Sequence, residues 1–432
     1  MNLSVFLNAF KTVDVRKKLL FTLAMVMVYR LGATTPTPGV DFGAVHKCVT
    51  TIKTNELLGI VNLFSGGALL RLSIFALGIM PYITASIILQ LLTVVIPRLE
   101  RLKEEGQAGQ AKITQYTRYL TIGLAILQST GIIALARTPG RLFSGCTYQL
   151  IPNQSVFTIL TMIICMTAGT AVVMWLGEQI TERGVGNGMS ILIFTSIIAA
   201  LPGQFASVVT LHGWPAFFAV CLIGILLIVA VVFVEQAQRR IPVQYAKRMV
   251  GRKMYGGTST YIPLKVNMAG VIPVIFASSL LYIPVLIAQL SGSTAGWAQW
   301  ISSTFVRGDH WVYLLSYFLL IVFFAFFYAE ITFDPHQVAE NTKKYGGFVP
   351  GIRPGKPTAE YLNYVLTRLT GAGSLYLAII ATLPFIGFGA LGVTQQFIFG
   401  GTSLLIVVGV GLDTVKQLEA QLQQRSYEGF LR

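Results

Sequence analysis

Ten long apolar stretches constrain this chain more than any other feature of its sequence. They lie near residues 19–36, 73–96, 116–136, 155–177, 188–208, 214–234, 268–290, 310–332, 366–386 and 397–415. A helix that crosses a bilayer needs about 20 mostly apolar residues, because the hydrocarbon offers no water to an open backbone. The overall composition agrees: 54% of residues are hydrophobic and 11% charged, where a soluble domain carries about 25% charged residues. The reading is an all-α membrane protein of ten transmembrane helices, and ten crossings leave both termini on one side. No A-x-A site follows the first apolar run, and the stretch Met1–Lys18 before it is basic and amphipathic. That run is therefore expected to remain as the first span.

Charge sets the orientation. The chain carries +15 net. The N-terminus, 97–118, 178–187, 235–267, 333–368 and the C-terminus hold 25 of the 32 Lys and Arg, and the opposite loops hold six. Basic residues gather on the cytoplasmic side, so both termini are expected there. Arg30 lies within the first span and is expected to snorkel or pair inside the bundle. Two long basic loops, 235–267 and 333–368, are punctuated by Gly and Pro and read as surfaces built for a partner. They contain Arg239, Arg240, Lys247, Arg248, Arg252, Lys253 and Arg353.

The external region 37–72 is too polar and broken to cross. Its apolar stretch from Leu57 to Leu63, then Phe64-Ser65-Gly66-Gly67, is about three turns long, a re-entrant candidate before the second span.

An internal repeat relates the two parts of the chain. Gly78-Ile79-Met80-Pro81-Tyr82-Ile83-Thr84-Ala85-Ser86 in span 2 matches Gly270-Val271-Ile272-Pro273-Val274-Ile275-Phe276-Ala277-Ser278 in span 7. Gly188-Met189-Ser190-Ile191-Leu192-Ile193 in span 5 matches Gly401-Thr402-Ser403-Leu404-Leu405-Ile406 in span 10. Five spans per half is odd, so the second half is inverted, and the functional site of such a fold lies between the halves near the midplane. The halves are 1–212 and 213–432. The repeat pairs Ile79 and Ile83 with Val271 and Ile275, and Ile193 with Ile406.

Enzyme signatures are missing. Gly351-Ile352-Arg353-Pro354-Gly355-Lys356-Pro357-Thr358 is one residue short of a phosphate loop and has Pro where Ser or Thr would bind magnesium. The four histidines are scattered, and no cofactor is expected. A secondary solute transporter also uses inverted repeats, but ion-coupled carriers need ionisable midplane groups that these spans lack.

The chain resembles the SecY family of protein-conducting channels. The resemblance rests on Tyr29-Arg30-Leu31-Gly32, Asn62 to Ala68, Ser73 to Gln90, Trp175 to Gly188, Gln238 to Pro242, Pro263 to Ser279, Phe348 to Gly355 and Ser426-Tyr427-Glu428. It implies a clamshell of two halves around a central pore in a bacterial plasma membrane, passing unfolded polypeptides and releasing apolar segments sideways into lipid. It implies a constriction ring of Ile79, Ile83, Met189, Ile193, Ile275 and Ile406, and a plug over about 57–70 that includes Leu57, Leu58, Ile60, Val61, Leu63, Phe64, Gly66 and Gly67. Spans 2 and 7 would form a lateral gate, in which Ser86, Gln90, Asn267 and Ser278 are candidate latches. The basic loops would dock the ribosome or the SecA motor. SecE and SecG would be the small partner subunits, and signal peptides and nascent chains the substrates.

Cysteine placement adds one expectation from the residues alone. Cys165 and Cys221 lie within spans, whereas Cys48 and Cys146 lie in the two loops assigned to the oxidising side. An even pair there is a candidate disulfide.

Overall fold

The computed structural model describes residues 12–51, 65–137, 148–245, 248–250, 253–255, 259–291, 296–305, 310–390 and 401–428. The helices are α1 (Val13–Thr34), α2 (Phe42–Thr51), α3 (Met80–Val95), α4 (Pro97–Glu104), α5 (Gln107–Arg137), α6 (Val156–Arg183) and α7 (Gly188–Gln236). After a β-hairpin come α8 (Ile272–Ser291), α9 (Gly296–Phe305), α10 (Trp311–Thr332), α11 (Pro335–Lys344), α12 (Lys356–Ala390) and α13 (Gly401–Glu428). α7 is two helices joined at Gly213, whose backbone leaves the helical region at φ 78° and ψ 179°.

Among the described residues, seven helices are long and apolar enough to cross a membrane, counting the parts of α7 on either side of Gly213 separately. An eighth is added if α3 and α4, which meet at a bend of 105°, form one broken span. With α1 of 22 residues and α8 of 20, the set is consistent with ten crossings. The surface these helices present is apolar. Leu222, Val229, Phe233, Leu319 and Phe323 are all more than half exposed, as lipid-facing side chains are.

The second span starts later than its hydropathy indicates. Residues 73–79 are apolar but run as turns, and α3 begins only at Met80. Leu72 and Gly78 adopt left-handed backbone, at φ 47° and 54°, which an α-helix cannot contain. The irregular stretch is sheltered: Ser73, Phe75, Ala76 and Leu77 are buried. Open backbone at membrane depth survives only under such cover.

Among the described residues, the strands lie in the basic loops. β1 (Gln238–Tyr245) pairs antiparallel with β4 (Ser259–Lys265), and β5 (Gly347–Phe348) adds to the free edge of β1. β2 (Arg248–Val250) and β3 (Lys253–Tyr255) form the tip of the hairpin. Ile241 and Val243 on β1, Leu264 on β4, Ala339 on α11 and Leu362 on α12 share one core. The two basic loops are therefore one folded unit.

Candidate functional site

All six residues expected to form a ring meet in one apolar cluster. Ile79, Ile193, Ile275 and Ile406 are buried in it, and Ile83 and Met189 pack against it. They arrive from four elements: the start of α3, the start of α7, the first turn of α8 and the second turn of α13. An aliphatic side chain has no atom that can solvate an ion.

Paired glycines bring these elements together, and the pairs follow the repeat. Gly78 and Gly270, at φ 54° and 61°, turn the chain three residues before Pro81 and Pro273. Each proline is the second residue of its helix, where a missing N–H costs nothing. Gly188 and Gly401 are the first residues of α7 and α13. A Cβ on Gly188 would lie 1.9 Å from the carbonyl oxygen of Gly177 on α6, and one on Gly401 would lie 2.0 Å from that of Ile380 on α12. A third pair acts on the turns. Gly169 on α6 sits against the carbonyl of Ile74, and Gly373 on α12 sits against that of Val266; these contacted residues each lie four positions before the turning glycine.

Beside the apolar cluster, on the face that leads to α3's C-terminal end, lies a cavity of about 450 Å³. Ile83, Ser86 and Gln90 of α3 line one wall, and Ile272, Ile275 and Phe276 of α8 line the other. Arg118 and Glu178 form part of its rim. The Arg118 guanidinium donates to both carboxylate oxygens of Glu178, at 2.9 and 2.8 Å, and also to Gln115 Oε1 at 3.0 Å. This fork-to-fork pair fixes α5 against α6. The sequence reading missed it, because only the fold brings residues 118 and 178 together.

The four gate candidates have separate fates. Ser86 and Gln90 face the cavity. Ser278 donates to the carbonyl of Ile275 on its own helix, at 2.9 Å. Asn267 is buried and donates to Glu235 at 2.5 Å and to the Gly270 carbonyl at 3.0 Å. No hydrogen bond among the described residues links α3 to α8 through any of the four; the two helices meet instead through apolar side chains such as Ile87, Val274 and Phe276. Asn267 instead pins the turn before α8 to the end of α7.

Of the plug candidates, Gly66 and Gly67 lie in the turns before α3, at φ 65° and 88°. Leu57, Leu58, Ile60, Val61, Leu63 and Phe64 fall outside the described residues. Arg30 pairs inside the bundle as expected: its Nη1 donates to the carbonyl of Gly66 at 3.0 Å.

In the basic unit, Arg239, Arg240 and Arg353 are exposed. Arg240 stacks 4.8 Å from the centre of the Tyr261 ring. Arg353 sits between Gly351 and Gly355, both left-handed, and its carbonyl accepts from the Thr358 hydroxyl at 2.8 Å. Arg248 and Lys253 lie on β2 and β3, and Lys247 and Arg252 fall outside the described residues. Cys48 is buried and disulfide-bonded. Cys165 and Cys221 are free thiols, and Cys146 falls outside the described residues.

A bundle of helices long and apolar enough to cross a bilayer is the architecture of a polytopic membrane protein. Solved channels share the fold. "The structure of a protein conducting channel" aligns over 95% of this chain and 93% of that one with a TM-score of 0.64 at 18% identity. "Sec61 in the Canine ribosome-channel complex from the endoplasmic reticulum" aligns with a TM-score of 0.57 over 95% and 93%, at 17% identity. The SecY family profile matches residues 73–415. Relatives called protein translocase subunit SecY are 64% identical in Streptomyces galbus, 65% in Streptomyces coelicolor and 58% in Mycobacterium bovis, each over the full length of both chains. The chain belongs to the SecY family, the protein-conducting channel subunits of the protein translocase.

Proposed function

We propose that the aliphatic cluster is the constriction through which unfolded polypeptide passes, and that α3 and α8 are the walls of a gate toward lipid. One observation carries the reading: six side chains from four separate elements converge in one apolar cluster, and five of them were already singled out by the internal repeat. Isoleucine conforms around a passing chain while leaving ions unsolvated. An apolar segment of about 20 residues leaves through the gate because each Leu or Ile favours the bilayer centre by about 0.3–0.6 kcal/mol. Ser86 and Gln90 on the cavity wall are latch residues in a state where the walls meet.

The break at Gly213 supports a division into halves 1–212 and 213–432. The charge bias supports cytoplasmic termini in a bacterial plasma membrane. It puts the β-hairpin unit, with Arg239, Arg240 and Arg353, in the cytoplasm as a docking surface for a ribosome or the SecA motor. Two matched structures carry ribosome complexes in their titles, canine Sec61 and yeast Ssh1. SecE and SecG are the small subunits expected beside it. The segment about 57–70 is the plug; one matched structure is titled for a SecY plug that "stablizes the closed state of the translocation channel".

The test is crosslinking from a photoreactive side chain at positions 83, 193, 275 and 406 to a stalled secretory precursor. Crosslinks at all four positions, and none from the lipid-facing position 229, are the expected result. A precursor that reaches none of the four rules the constriction out.

A further inference from the structure

Four of the protein's five tryptophans gather at one end of the spans. Trp214 follows Gly213, where the two parts of α7 meet; Trp297 and Trp300 lie on α9; Trp311 opens α10. Each stands one span away from the β-hairpin unit. The second part of α7 joins Trp214 to β1, α8 joins β4 to α9, and α10 joins Trp311 to α11. All four are at least half exposed.

α9 is the one of these sites that is not part of a span. Its ten residues, Gly296–Phe305, include none that is charged. They rise about 15 Å, half of what a crossing needs. Trp297 and Trp300 are three residues apart and so neighbours on the helix surface. The other side of α9 turns inward. Ala298 is 2% exposed, and Phe305 packs against the core that holds Leu281 of α8 with Tyr313 and Tyr317 of α10. The Trp300 ring meets Phe305 edge to face, at 6.1 Å and 69°. α9 thus packs on both α8 and α10.

What covers the tryptophan face follows from its neighbours. On α10, Trp311, Leu315, Leu319 and Phe323 recur every four residues, and all are at least half exposed. Side chains at this spacing lie one above the other, so they form a stripe of the lipid-facing surface with Trp311 at its end. The exposed face of α9 continues that surface where hydrocarbon gives way to head groups. An indole, apolar in its body and carrying one N–H, suits that boundary better than either water or acyl chains.

We propose that α9 is a membrane-surface anchor, bedded through Trp297 and Trp300 in the boundary between lipid head groups and acyl chains. Its partner is a lipid surface of no particular charge, because α9 offers no cation to an anionic head group. The anchor needs only that α8 and α10 are spans. It fixes the far end of α8, whose near end Asn267 already ties to α7. On the pore reading above, α8 is then a gate wall held at both ends, free to pivot but not to slide along its axis.

The experiment reads tryptophan fluorescence of the full chain in phosphatidylcholine vesicles whose acyl chains carry bromine, a contact quencher, either near the head group or near the chain end. Trp175→Phe, Trp214→Phe and Trp311→Phe together leave the α9 pair as the reporters, and precursor export checks that this variant folds. Leu319→Trp, with all five native tryptophans replaced by Phe, is the reference for a buried depth. Shallow bromine is expected to take more of the α9 signal than deep bromine, and the order is expected to reverse for Leu319→Trp. In the otherwise native chain, Trp297→Phe with Trp300→Phe is expected to lower the share of fluorescence lost to shallow bromine, which keeps the test open should the first variant not fold. An unchanged share overturns the anchor. So does stronger quenching of the α9 pair by deep bromine, which places it among the acyl chains. Quenching by neither lipid but by acrylamide in the water leaves α9 in solvent, and quenching by none of the three leaves it covered by protein; each overturns the anchor while the pore reading stands.

Discussion

Among single residues, the clustered isoleucines carry packing as well as the proposed constriction. Ile79 and Ile406 are each 1% exposed, and trimming such a side chain to Ala costs about 2–5 kcal/mol through lost burial and the cavity left behind. Ile83 only packs against the cluster, so it is the position where permeability separates from stability. Ile83→Ser should raise resting conductance with little change in melting temperature, because a hydroxyl wets the constriction. A wild-type current for Ser at 83, 193, 275 and 406 alike would remove the ring assignment. Arg118 offers a contrasting case. Arg118→Ala leaves Glu178 half-sheltered without its fork, and the pair is partly exposed, at 41% and 19%. The expected loss is about 1 kcal/mol, read as an earlier unfolding transition in detergent, with Arg118→Lys recovering only part because an ammonium cannot bond both oxygens in one plane.

The elements of this fold are set by where helices begin. Gly188 and Gly401 open α7 and α13 against carbonyl oxygens of the preceding long helices. Gly401→Ala drives a methyl group into a backbone oxygen that no rotamer can move. It should cost about 1–3 kcal/mol, and Gly188→Ala should cost a similar amount, since the two sites match. Gly203→Ala, where a Cβ meets nothing within 4 Å, is the control expected to leave the melting temperature unchanged or raise it. Equal melting temperatures for all three variants would show that these close approaches do not hold the halves. The late start of α3 belongs to the same scale. Hydropathy sees residues 73–79 as span because they are apolar, but left-handed Leu72 and Gly78 hold them in turns.

Across the whole molecule, the hairpin unit joins two loops almost 100 residues apart. Arg353→Glu should impair motor- or ribosome-driven translocation without reducing membrane insertion of the channel, since the side chain is exposed on a loop fixed by left-handed Gly351 and Gly355. Normal precursor export by this variant would remove the docking role. Cys48 lies on α2. It is disulfide-bonded and shares a core with Leu69 and Leu70, and the proposed partner is Cys146. Such a bond stabilises the fold by about 2–4 kcal/mol. Mass spectrometry of alkylated, unreduced protein should find two free thiols, Cys165 and Cys221; four would exclude the bond.

How far the sequence carries differs by kind of interaction. The helical membrane-spanning class, and the five isoleucines that meet in one cluster, are legible, because hydropathy and a repeated G-x-x-P motif are local properties of the chain. The repeat reached Ile79, Ile83, Ile193, Ile275 and Ile406 with no contact information. The Arg118–Glu178 fork, the Asn267–Glu235 bond and the shared core of the two basic loops were not legible. Each joins residues far apart in sequence, and nothing in either partner's local pattern names the other. Arg30 lies between these cases. Its cost inside a span announced a partner, but only the tertiary structure made that partner the Gly66 carbonyl. By itself, the sequence determined that the chain folds as a bundle of apolar spans and which of its segments repeat, because both follow from one-dimensional patterns of apolar residues and glycine. Which polar groups meet was decided by packing in three dimensions, because each such pair joins residues far apart along the chain.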